Sequence, residues 1–589
     1  MDIGADLSGI AGLKVDGMVT KEGFARPASS ASEMPPPPIT KKRKAAPASS
    51  SAKRVQIGED LPDELDEGEI KDMLDQADDV HIEALNEGAL KRMVLQLERK
   101  IKNNQELRIK FSDDPDKFLK SEVDLDEAIK KFTQLSTHPD LYDELVKLDA
   151  LPMLLGILNH ANTDIAVDVF EVLNELTDAD VIAEVEDSEA FLKALFDAQL
   201  PDMTVEVLLR LNEDASDEEF TAVTNGLSMI ENLADINPKE TCRHFVGISK
   251  FLTWLLKRVR APKMDHNRLH ASEILGIMLQ NSETAVDSLV KLEGIDKLLR
   301  GISEYRKKEP ADSEESEFVE NMFDCLCTLM LLDTHQVAFG KMQGLELMIR
   351  MMRAHNFAST PALKLANHAM RNCSANCQIF VDKMGLKVLF ALFMKKGAGQ
   401  KTKSVARECE EHITSIINSL CRYCTATPVA RVLNKFTEFK FEKLERLLEM
   451  HEEYFLAVKE ADRQRHQGLV EKIDREFEVD EEEQLFLDRC DAGLFTLQQV
   501  DCIILRLGNM GNRQVGEELV KLLDTKGVDL GEMISIVLEY CVHLDASAKP
   551  ESDELHKFLR NFAKNAGRMH MLDDALKALE EVPAASAPA

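Results

Sequence analysis

The chain has 589 residues, with 105 acidic against 72 basic side chains and a formal net charge of −33. A surface this negative repels nucleic-acid phosphate on average and attracts basic protein segments, although solubility alone also accounts for such a charge. No run approaches the ~18 consecutive apolar residues of a membrane span, and the N-terminus has no secretory-type apolar segment.

The eleven Cys fall inside amphipathic runs rather than at the loop spacing of a disulfide framework, which points to a reducing compartment. Helix formers dominate, with one Trp and five Tyr, and that palette favours helices over sheets.

Residues 1–80 read as a disordered tail. Gly, Ser, Ala and Pro are frequent there, and the apolar residues show no period that could offset ordering entropy. Within it Lys41, Lys42, Arg43 and Lys44 form a compact basic cluster, followed by an acidic stretch from Glu59 to Glu69. A short basic run in an extended segment reads as a nuclear localisation signal, taken up by an importin; the alternative is a non-specific basic tail.

A helical period begins near Ala84. Residues 81–142 are expected to form an N-terminal helical cap, because they lie off the repeat that follows. From 143 to 426 five segments align without gaps: Leu145 to Leu158, Cys242 to Leu255, Leu289 to Ile302, Phe339 to Met352, and Phe380 to Phe393. Each is an apolar helix end, a small residue, and a new apolar helix. The small residues are Ala150, Gly247, Gly294, Gly344 and Gly385, with a weaker copy around Ala190. Glycine at such a joint is expected to take a conformation that a Cβ opposes.

Between these anchors lies a third apolar-periodic helix, such as IAVDVFEVLNEL or FVENMFDCLCTLMLL. Units of ~40–47 residues with two or three helices have the armadillo/HEAT pattern. The expected fold is therefore all-α: a superhelical solenoid of five or six units, since no unit can bury its face alone. Lys395 to Arg407 reads as a mobile loop. Residues 427–582 read as a C-terminal helical domain, and 583–589 as a disordered tail.

At this point NNQELRIKF (Asn103 to Phe111), LEGIDKLL (Leu292 to Leu299), VLNKFTE (Val432 to Glu438) and RCDAGLFTLQ (Arg489 to Gln498) together resemble the beta-catenin-like armadillo family. The likeness runs in order from about residue 100 to about 545. It implies a nuclear protein associated with the spliceosome through the nineteen complex. The implied partners are that complex's Myb-domain splicing factor, met through basic localisation-signal-like segments, and in vertebrates activation-induced deaminase.

Three expected third helices carry acidic pairs four apart: Glu171 with Glu175, Glu231 with Asp235, and Glu320 with Asp324. Like charges at that spacing repel, and a cation between them reverses the sign. They read either as a groove for Lys and Arg of a basic segment or as a solvated face. Asn174 and Asn232 on the same helices could bond an extended peptide backbone. A transport adaptor of importin type is the rival function, but its ladder of indoles cannot be built from Trp254 alone.

Cys373, Cys377, Cys421 and Cys424, with His412 between the pairs, read as core thiols, with a metal or redox site as the alternatives. Phosphate-cradling, nucleophile-elbow and zinc-protease motifs are absent, so neither enzyme, cofactor nor metal is expected. Oligomeric state, including a homodimer, stays open.

Overall fold

The computed structural model describes residues 85–395, 402–471, 481–545 and 548–581. The two terminal tails, and with them Lys41 to Lys44, lie outside the described residues. Every described element is helical, so the fold is the all-α helical repeat expected. The described chain groups into an N-terminal unit (85–207 with 217–222) and a C-terminal unit (208–216 with 223–581).

In the N-terminal unit, the Glu87–Lys110 helix is capped by Asn86, whose side chain accepts from Ala89 N at 3.0 Å. It packs on Leu119–Lys130. The two are pinned by Asn104 Nδ2 donating to Ser121 Oγ at 3.0 Å and by a pair between Arg108 and Glu122.

Six sets of three helices follow among the described residues. Their long third helices are α1 (Thr163–Leu176), α2 (Asp217–Ile236), α3 (His266–Asn281), α4 (Ser313–Leu329), α5 (Ser359–Met370) and α6 (Lys403–Tyr423). A side-chain cap starts several of them. Asp265 accepts from Arg268 N at 3.0 Å, Asp312 from Glu315 N at 2.8 Å, and Thr402 from Val405 N at 3.4 Å. Each cap satisfies a backbone donor that the helix itself leaves unpaired.

The start of α6 shortens the expected Lys395 to Arg407 loop. Residues 396–401 lie outside the described residues, and Lys403 to Arg407 are already helix.

Apolar stripes then lock third helix to third helix. In α4, Phe318, Val319, Met322, Phe323, Leu326 and Leu329 are all buried, each worth roughly 1.5–3 kcal/mol relative to exposure. Within the C-terminal unit α3 packs on α4, α4 on α5 and α5 on α6. The stack does not end there: α6 packs on α7 (Leu494–Asn509), a helix buried almost all round. Asn418 Nδ2 on α6 donates to Gln499 Oε1 at 2.7 Å, and Arg506 Nε donates back to Asn418 Oδ1 at 3.0 Å. The C-terminal helices thus continue the same packing.

The ends of the third helices are sealed by the first helix of the next set. Thr241 Oγ1 donates to Leu233 O at 2.8 Å, Gln336 Nε2 to Met330 O at 3.0 Å, and Asn376 Nδ2 to Ala369 O at 2.6 Å. Each bond brings a side-chain donor to a carbonyl at the end of a third helix.

The small anchors act differently from the expectation. The left-handed residue at the joint is the one before: Asp149, Gln199, Glu293, Gln343 and Met384 have φ of 50°, 64°, 59°, 63° and 66°. Gly294, Gly344 and Gly385 are the first residues of the second helices, so φ is not what selects glycine. Packing selects it. A Cβ would stand 2.5 Å from Leu289, 2.6 Å from Phe339 and 2.5 Å from Phe380, respectively.

Gly247 is not an equivalent anchor. It ends the Pro238–Gly247 helix, and a Cβ there meets nothing within 4 Å. In the second set the joint lies at Gln199 and Leu200, not near Ala190.

Gly344→Ala is therefore expected to lower stability by about 1–3 kcal/mol through overpacking, and Gly247→Ala to change it by less than about 0.5 kcal/mol. Thermal melts of both variants would check this; equal shifts would contradict the packing account.

Candidate functional site

In the C-terminal unit the third helices present carboxylates on one side of the stack. Glu231 and Asp235 lie on α2, with Glu231 half-buried and Asp235 exposed. They meet α3, where the buried His270 Nε2 lies 2.9 Å from Glu231 Oε2. That bond and the burial around it act in opposition, and the bond wins: the Glu231 carboxyl is held below its ordinary value. Asp235 is pushed up by burial and by Glu231.

Glu273, one turn along α3 from His270, is pushed up by burial. The charge of Glu317 on α4 acts on it as well. On α4, Glu320 is pushed up by burial, then by Asp324 and Glu317, and also by Glu408 on α6. Asp324 already has a cation, with Lys364 Nζ of α5 at 2.7 Å from its Oδ1. On α6, Glu411 is raised by burial and by Glu408. The result is a set of carboxylates on α2, α3, α4 and α6, several of which oppose one another's ionisation, with Lys364 of α5 set among them. Such an arrangement takes up cations.

The predicted residues fall into this picture unevenly. Glu231, Asp235, Glu320 and Asp324 belong to the set, and Asn232 is half-buried beside Glu231 on α2. Glu171, Asn174 and Glu175 lie on α1 in the N-terminal unit. There Glu175 is pushed up by burial, then by Asp178 and Glu171. Two of the six pairing acids already hold internal cationic or imidazole partners, Glu231 through His270 and Asp324 through Lys364.

Sequence reasoning missed His270, Glu273, Glu317, Lys364, Glu408 and Glu411. The signal for the last two was the run RECEEHITSI, passed over because it adjoins the Gly- and Lys-rich segment. His270 and Lys364 carry no periodic signature of their own.

Elsewhere the basic segment at Lys257 to Lys263 is partly consumed internally. Arg258 is buried, with Nε 2.7 Å from Glu213 Oε1 and a further pair to Asp265. Cys373, Cys377, Cys421 and Cys424 are buried thiols. Cys377 Sγ donates to Met370 O at 3.4 Å, and burial pushes Cys421 up to about 12 and Cys424 to about 11. A protonated thiol is neither nucleophile nor metal ligand.

Among the described residues one group could hold a metal ion: Glu231, His270 and Glu273, whose ligand atoms lie within 4.8 Å of one another. Among the described residues His270 Nδ1 has no hydrogen-bond partner. No described helix is long and apolar enough to cross a membrane.

Residues 68–539 match the family described as "Catenin-beta-like, Arm-motif containing nuclear". The chain is 39% identical over 479 residues to beta-catenin-like protein 1 of Homo sapiens, covering 80% of this chain and 84% of that protein. It is 35% identical over 475 residues to the beta-catenin-like protein 1 homolog of Schizosaccharomyces pombe, covering 79% and 80%.

The His270–Glu231 bond has a pH signature. A carboxyl held below its unfolded value adds stability that is present above that value and is lost as pH falls through the folded one. The urea midpoint of His270→Ala is expected to fall below wild type at pH 6, and the gap to narrow toward pH 4. A gap that stays constant would mean that the loss is one of packing alone.

Proposed function

This chain belongs to the catenin-beta-like, Arm-motif containing nuclear family, and we propose that it is a non-enzymatic nuclear scaffold of pre-mRNA splicing. In this reading it is associated with the nineteen complex and holds basic, localisation-signal-like segments of splicing factors, the Myb-domain factor among them. No bond is made or broken.

The observation that carries the reading is the set of carboxylates on α2, α3, α4 and α6, several of them raised by burial and by one another. Stacked helices place successive third helices about 10 Å apart. An extended peptide advances ~3.3 Å per residue, so about every third residue meets a new helix. Each contact is partly exposed and contributes only about 0.5–1 kcal/mol. Affinity is then a sum over contacts, and it falls as salt screens the charges.

Reversing Glu231, Asp235, Glu273 and Glu320 to Lys is expected to weaken a labelled basic peptide by roughly tenfold or more. Reversing the acidic residues at 480–483 should change little. Titration of both variants at two salt concentrations tests this; equal losses, or binding indifferent to salt, would assign the charge to solubility.

The partner class is tested by capture from nuclear extract. Splicing factors support the scaffold, whereas importin-β with mixed cargo would replace it with a transport adaptor. Entry into the nucleus is assigned to Lys41, Lys42, Arg43 and Lys44. A reporter carrying all four as Ala is expected to lose nuclear accumulation, and retained accumulation would place the signal elsewhere.

A further inference from the structure

On α3 three metal-ligating side chains share one face. His266, His270 and Glu273 stand at the i, i+4 and i+7 positions of one helical stripe. The rings of His266 and His270 are 5.9 Å apart, centroid to centroid. A fourth group comes from α2, where Glu231 Oε2 lies 2.9 Å from His270 Nε2. The register of the two helices is held close by, with Thr224 Oγ1 of α2 donating to Asn267 Oδ1 of α3 at 2.7 Å. One ligand atom from each of Glu231, His270 and Glu273 falls within 4.8 Å of the other two. The charge of His266 also reaches Glu231.

Burial separates this group from an ordinary acidic surface. His270 is 4% exposed, and its Nε2 points into the cluster rather than to water. Glu273 is half-buried, yet among the described residues no hydrogen bond or ion pair engages its carboxylate. Glu231 keeps 42% of its side chain in solvent, and His266 is exposed. That open edge gives an ion a path in.

Donor chemistry selects the ion. Zinc takes imidazole nitrogen and carboxylate oxygen at about 2.0–2.2 Å in a four-coordinate shell, which sets ligand atoms about 3.4 Å apart. Small rotations of the two carboxylates close the cluster to that spacing. Calcium and magnesium instead demand about six or more oxygens, which a buried imidazole does not supply.

We propose that Glu231, His270 and Glu273, with His266 at the open edge, form an exchangeable Zn2+ site. A ligating imidazole presents a bare Nε2, so its proton moves to Nδ1. That nitrogen has no partner among the described residues, and lack of such an outer bond weakens metal affinity about 10–100-fold. The site therefore fills and empties with the supply of free Zn2+ and is not an ion that folding requires. An ion there occupies a place that the groove reading gives to a cationic side chain, so metal and basic segment exclude each other. The metal site itself does not depend on that reading.

The test titrates the full chain, stripped by a chelator and kept reduced, with Zn2+ alone against a chromophoric indicator. Wild type is expected to bind one equivalent with a Kd on the order of 1 µM. Glu231→Gln and Glu273→Gln keep the side-chain shapes, and each should weaken binding roughly tenfold or more, with His266→Ala losing about threefold. Co2+ in place of Zn2+ should give d–d absorption without a thiolate charge-transfer band, because no Cys belongs to the set. Without metal both Gln variants should melt cooperatively, and on addition of Zn2+ only wild type should gain in Tm. Absence of the one-equivalent binding, affinity unchanged in both Gln variants, equal gains in Tm, a thiolate band, or displacement of Zn2+ by millimolar Ca2+ would each overturn the site.

Discussion

The C-terminal unit depends on one contact repeated along it: the apolar stripe of one third helix pressed against the next. From α3 to α7 successive helices pack on one another. The closeness sets the other requirements. In three sets the second helix begins beside the end of the first with a glycine, because Leu289, Phe339 and Phe380 already fill the space of a Cβ. Carbonyls at the third-helix ends take donors from the following helix, from Thr241, Gln336 and Asn376. These are costs of the same packing, met by different residue types at each joint.

The same contact produces the electrostatics. A helix held by neighbours on two sides has a narrow strip left for charge, and strips on adjacent helices lie close. Carboxylates placed there interact across the stack as well as along each helix, as Glu320 does with both Asp324 and Glu408. Internal partners relieve part of the repulsion, with His270 on Glu231 and Lys364 on Asp324. Relief supplied from inside stabilises the apo chain and lowers the local pull on a ligand. Relief left undone does the reverse, so the distribution of internal partners divides the set into weaker and stronger segments.

The repeat was legible because its signal is local. The 3.6-residue period of FVENMFDCLCTLMLL depends only on which side chains are apolar, and the small residues at Gly294, Gly344 and Gly385 recur at nearly even spacing. Where reading failed, the signal was not local. Gly247 looks like an anchor in the alignment, yet it faces open space, while Gln199 shares the left-handed joint without any glycine. The α6 helix was cut short because Lys403 to Arg407 carries charge rather than an apolar stripe. That segment is the first turn of a helix whose later residues are buried, with Lys403 and Ser404 exposed and Val405 to Arg407 half-buried.

For the site, the sequence by itself determined which helices are acidic and that some carry like charges one turn apart. Spacing on one helix follows from chain connectivity, so Glu231 with Asp235 and Glu320 with Asp324 could be named in advance. The tertiary structure alone decided what stands across from them. His270 reaches Glu231 over 39 positions of sequence, Lys364 reaches Asp324 over 40, and Asn367 reaches His412 over 45. Those distances are set by how far one apolar stripe slides along the next, and by how deeply each polar group is drawn from water. Both are properties of packed surfaces. The composition of a single helix fixes neither of them.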